Sequence, residues 1–129
     1  MNEPIKIKWL AVFRDVAIIW ALTLIGGFIA GVAARSAGGA GPPMGALAIA
    51  NILLGTVGFI ISGCLAKTWR FQHLWVVALF VWLTSAVNAF FGAFGFTQWL
   101  LSVLLIIPMM LAGGGISFLF VRTPTSDQG

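Results

Sequence analysis

The side chains able to do chemistry are few, and they sit where apolar runs begin and end. Asp15 follows Arg14 directly ahead of the first apolar run, and no further carboxylate occurs before Asp127. His73 is the one histidine, Cys64 the one cysteine, and there is no tyrosine. Ser62, Ser102 and Ser117 lie in apolar runs without histidine or lysine, and Ser85 shares its run with His73 only at the far end, twelve positions away. Acid–base and nucleophilic catalysis need several such groups to converge. A lone cysteine excludes an intrachain disulfide. One histidine with one cysteine excludes a bis-histidine haem site or a His/Cys zinc site within a single chain. The expectation is a protein that is not an enzyme, with no catalytic residue, no metal and no cofactor.

The remaining reactive groups have plain structural roles available. Asp15 and Arg14 form a charge pair at a membrane interface, and His73 is an interfacial residue, with ligation of a pigment as its functional alternative. Cys64 is a small packing residue, with palmitoylation as its alternative. The glycine run 113–115 lies inside an apolar stretch and has no P-loop lysine after it, so it is no phosphate cradle.

The elements that must carry these groups follow from hydropathy. Of 129 residues, 60% are hydrophobic and 8% charged, whereas a soluble domain carries about 25% charged residues. Residues 16–34, VAIIWALTLIGGFIAGVAA, contain nothing ionisable. Nineteen helical residues rise about 28 Å, close to the ~30 Å hydrocarbon thickness of a bilayer. Similar runs occupy about 44–66, 73–94 and 100–121, the last containing Pro108, which removes a helix hydrogen bond and predicts a kink. The first run exceeds the 7–15 residues usual for a signal-peptide core, so it is expected to stay in the protein. Residues 1–15 form a basic interfacial segment, either a short interfacial helix or a helix already entering the membrane. Residues 122–129 form a polar tail. The fold class is all-α: an integral membrane four-helix transmembrane bundle of two helical hairpins, N-in and C-in.

That orientation comes from counting lysine and arginine. Lys6, Lys8, Arg14, Lys67, Arg70 and Arg122 fall on one side of the membrane and Arg35 on the other. Short loops rich in these residues stay cytoplasmic, so both termini are expected in the cytoplasm, with a bacterial inner membrane as the setting. The net charge of +4 is accounted for by these flanks. They suit membrane lipids as partners, and no nucleic acid. Trp69, Trp75 and Trp99 fit a headgroup-level aromatic belt, while Trp20 and Trp82 lie deeper.

Small and polar residues recur at helical spacing. Thr23, Gly27 and Gly31 share a face of the first span; Asn51, Gly55, Gly58 and Ser62 share one of the second. Thr84, Asn88 and Gly92 share one of the third; Gly113 and Ser117 share one of the fourth. In membranes, small residues let backbones approach, and buried amides and hydroxyls bond across helices. These twelve positions are the expected helix-packing and interaction residues. A shift of 61 positions matches the first span to the third, and one of 55 lays Gly58 and Ser62 of the second on Gly113 and Ser117 of the fourth, suggesting a parallel repeat.

The functional expectation is an accessory or structural subunit of a membrane protein complex, joined to other membrane subunits or to copies of itself. The alternative is a small channel or facilitator for an anion or neutral solute, lined by Asn51, Asn88, Thr23 and Thr84. A lower alternative is a pigment- or lipid-binding protein. GVAAR at 31–35, followed by Asn51 after a glycine-proline turn, resembles the first half of fluoride channels, which would imply anion conduction. The glycine-to-asparagine spacing is one residue off, and the threonine-rich break of their third helix has no counterpart here. The small multidrug transporters share the four-helix size, but their acidic residue in the first span is absent.

Overall fold

The computed structural model describes residues 7–39, 44–66, 69–92 and 95–121. The described residues contain helices and no strand: α1 (Trp9–Ser36), α2 (Met44–Leu65), α3 (Arg70–Phe90), α4 (Phe96–Leu101) and α5 (Val103–Phe120). α4 and α5 together make one span, Phe96–Phe120, so four helical segments are long and apolar enough to cross a membrane. The outward surface agrees with that solvent. Leu10, Phe28, Phe90, Phe91 and Leu119 are each more than 70% exposed, and exposed apolar surface on this scale marks contact with a membrane or with other protein.

Several boundaries move from those expected. α1 begins at Trp9, so residues 9–15 belong to the spanning helix itself. At ~1.5 Å per residue its 28 residues extend about 42 Å, enough to cross the hydrocarbon and enter the headgroups. α3 starts at Arg70 and ends at Phe90, where Gly92 takes a left-handed φ of 76° that a glycine adopts without a Cβ clash. Thr97 and Gln98, which fall between the expected third and fourth spans, are helical. The Gln98 side-chain oxygen accepts the Gly95 backbone N–H at 3.1 Å, which satisfies one of the donors a helix start leaves open. Of the residues expected between the second and third spans, 67 and 68 lie outside the described residues, as does the tail at 122–129.

The helices stand in the ring order α1, α2, α5, α3. α2 also touches α3 across the middle, while α1 and α5 do not meet among the described residues. The helices matched by the sequence repeat, α1 with α3 and α2 with α5, are therefore neighbours. A two-fold axis along the bundle would have set them diagonally opposite.

Packing is concentrated toward one end. Val12, Val16 and Ile19 of α1 meet Phe59 of α2, Leu74, Val77 and Ala78 of α3, and Met110 of α5. Glycines bring the backbones together there. A Cβ on Gly58 would stand 3.3 Å from the Ile19 Cα, and one on Gly113 would stand 2.9 Å from the Thr56 carbonyl oxygen. At the other end α1 turns Leu24, Ile25, Phe28 and Ile29 outward.

An aromatic clasp joins α3 to α4. The Trp82 and Trp99 rings stack with centroids 4.5 Å apart. Each indole N–H donates to the other residue's carbonyl, Trp82 at 3.1 Å and Trp99 at 3.0 Å. Replacing Trp99 with Leu removes the stack and one of these bonds. It is expected to lower stability by about 2 kcal/mol, measurable as an earlier unfolding transition in detergent. An unchanged transition would show that the clasp contributes nothing.

Candidate functional site

The helix register of α1 dictates where its acid goes. Val12, Asp15, Val16 and Ile19 recur at spacings of three and four and form its buried face. A helix starting at Trp9 therefore turns Asp15 inward, and the residue is fully buried. α2 presents Ser62 beside Phe59 on its inward face, also fully buried. α3 buries Arg70, Leu74, Val77 and Ala78 and places His73 at the edge of that face.

These three helices meet at the carboxylate. The Ser62 hydroxyl donates to Asp15 Oδ2 at 2.7 Å, and His73 Nε2 lies 2.7 Å from the same oxygen. Arg14 Nε donates to Oδ1 at 2.7 Å. An ionised carboxylate only accepts, so Nε2 is the protonated ring nitrogen. The His73 side chain is 11% exposed and that of Arg14 47%. The arrangement therefore grades from a dry hydroxyl to a wet guanidinium.

The chemistry of this cluster is set by who donates to whom. A nucleophilic relay runs from serine to histidine to acid. Here serine and histidine both donate to the acid, and the serine proton is already committed to the carboxylate. The group is a hub that ties α1, α2 and α3 together at one end.

Arg70 lies at that same end. Its Nη2 donates to the Val121 carbonyl at 3.0 Å, which fastens the start of α3 to the end of α5. Its guanidinium lies 4.3 Å over the Phe118 ring, and Nε and Nη1 are buried with no hydrogen-bond partner among the described residues. The hub and this contact place the starts of α1 and α3 and the ends of α2 and α5 together.

The twelve residues singled out from spacing separate into two groups. Gly55, Gly58, Ser62, Gly113 and Ser117 are buried. A Cβ on Gly55 would collide with Met109, one on Gly58 with Ile19, and one on Gly113 with Phe59. The Ser117 hydroxyl donates to the Gly114 carbonyl of its own helix. By contrast, Cβ atoms on Gly27, Gly31 and Gly92 would meet nothing within 4 Å, and Asn51 is exposed. In α1 the close approach falls on Gly26, which backs onto Leu54. One residue's shift is about 100° of helix.

Thr23 and Thr84 spend their hydroxyl protons on carbonyls of their own helices, and Thr84 accepts the Trp20 indole N–H at 2.9 Å. The side-chain bonds that cross between helices involve Trp20, Thr84, Trp82, Trp99, Ser62, His73, Asp15 and Arg70. Neither Asn51 nor Asn88 is among their partners.

Compared with known proteins, the chain matches no family model, no curated protein and no solved structure. The reading of the site therefore rests on its own geometry.

Sequence reasoning assigned Asp15 and His73 separately to the interface and did not join them. The usable signal was the spacing of Asp15 to Val12 and Ile19, which puts the acid on the apolar face once the helix start moves to Trp9. Gly63 and Gly114 were also passed over. They are packed against Ser117 and Leu74 respectively.

Proposed function

We propose that this chain is an accessory or structural subunit of a membrane protein complex. It sits in a bacterial cytoplasmic membrane with both ends of the polypeptide on the cytoplasmic side, and it has no catalytic activity of its own. Its role is to present a helix surface to other membrane subunits or to a second copy of itself. One observation carries this reading. The half of the bundle remote from the Asp15 hub leaves Gly27 and Gly31 without any neighbour within 4 Å of an added Cβ and leaves Asn51 exposed.

Asn51 is the eighth residue of α2, about 10 Å along that helix at ~1.5 Å per residue. Amides at such depth gain by bonding across helices, and glycine notches four residues apart admit another backbone. The orientation follows from the basic residues at the hub end, Lys8, Arg14 and Arg70.

The test is association in mild detergent. Wild-type protein is expected to purify with other chains or as an oligomer. A Gly27→Leu, Gly31→Leu double variant should weaken that association at least about tenfold, because bulky side chains fill the notch. Its helical signal should be unchanged, since both positions are open within the chain. A strictly monomeric wild type with no co-purifying chain overturns the proposal.

A further inference from the structure

We infer that Arg70 and the first turn of α3 form a binding site for the phosphodiester of an anionic membrane lipid. Arg70 is 4% exposed. Its Nε and Nη1 atoms have no hydrogen-bond partner among the described residues, and these two carry three of the guanidinium's five N–H donors. A buried cation in this state is far from balanced. The obvious counter-ion is already spent. Asp15 is the one carboxylate among the described residues, and it is taken up by Arg14, Ser62 and His73.

The backbone adds a second, independent source of positive potential. α3 has 21 residues, no acidic residue in its first turn and no side-chain cap. Its first intrahelical acceptance is the His73 N–H on the Trp69 carbonyl at 2.9 Å. The N–H groups just ahead of it therefore have no acceptor within the helix, and aligned donors at a helix start favour an anion. Arginine is suited to phosphate because it stays charged and offers its donors in a fixed plane.

Position selects a lipid as the source. Arg70 begins a spanning segment and Trp69 immediately precedes it, which puts the guanidinium at headgroup level. Phe118, whose ring lies over the guanidinium, is itself 40% exposed. The ring that covers the charge thus itself reaches the bundle surface, where a headgroup would lie.

The experiment is native mass spectrometry of the full chain in detergent, titrated with phosphatidylglycerol, with phosphatidylcholine, or with inorganic phosphate. Phosphatidylglycerol should bind at least about tenfold more tightly than phosphatidylcholine, and Arg70→Gln should lose at least that factor. Arg35→Gln, which removes an exposed cation at the far end of α1, should change binding less than about twofold. Gln72→Glu places a carboxylate in the first turn of α3, where it favours the helix but opposes an anion. It should weaken lipid binding by about threefold or more, and it keeps the test decisive if Arg70→Gln does not fold. Equal binding of the two lipids, or full retention of phosphatidylglycerol by Arg70→Gln or Gln72→Glu, overturns the site. Inorganic phosphate binding as tightly as phosphatidylglycerol overturns the lipid as its occupant.

Discussion

His73→Leu is expected to destabilise the bundle by about 3 kcal/mol, because it takes a donor from a carboxylate that remains fully buried. The double variant Asp15→Leu, His73→Leu is expected to recover most of that loss and to lie within about 1 kcal/mol of wild type. A buried charge pair can often be exchanged for apolar side chains at little net change, whereas breaking it by halves is costly. Ser62 has a fallback in the double variant, since a serine in a helix can donate to a carbonyl of the preceding turn. Arg14, with its side chain 47% exposed, returns to water. The measurement is a double-mutant cycle by denaturant titration in detergent. A coupling energy near zero would show that Asp15 and His73 act independently, and the hub would lose its meaning.

Gly113→Leu is expected to be at least as damaging, at about 3 kcal/mol, for a steric reason. Even a methyl group at that position would stand 2.5 Å from Phe59 Cβ, 2.9 Å from the Thr56 carbonyl oxygen and 3.1 Å from the Ile60 backbone nitrogen. Two of these three are backbone atoms of α2, which cannot swing aside, so α5 must move away bodily. Gly115 serves as the internal control. A Cβ there meets nothing within 4 Å, and Gly115→Ala should be neutral or stabilise by up to about 1 kcal/mol through helix propensity. Equal unfolding midpoints for Gly113→Leu and wild type would refute the close approach of α2 and α5.

Four helices long and apolar enough to cross a membrane were legible because bilayer thickness converts directly into a count of apolar residues. That signal fades at the ends. Residues 9–15 carry both charge and apolar side chains, and hydropathy assigned them to a separate segment although they continue α1. The buried hub was lost with that assignment: an acid outside the span gives no reason to look for a serine in α2 or a histidine in α3. Spacing of small residues identified Gly55, Gly58 and Gly113, which do face neighbouring helices. It could not separate them from Gly27 and Gly31, which have the same chemistry and meet none of the described residues within 4 Å of an added Cβ. Periodicity names a helix face; which faces are covered depends on the ring order of the helices, and that is a tertiary property. Arg70 was counted only as a topology signal, because nothing local shows that a residue at a helix start will be enclosed by Phe118 and Val121.

The long loop closed by the Asp15–His73 bond also has a consequence in time. The two residues are 58 positions apart, and ribosomes add about 5 to 20 residues per second. Asp15 therefore exists for about 3 to 12 s before its histidine has been made. In the membrane setting proposed above, Arg14, its immediate neighbour, is then the cation at hand, and a charged carboxylate favours the headgroup layer over the hydrocarbon. On that reading the final depth of α1 depends on a helix made later in the chain, α3.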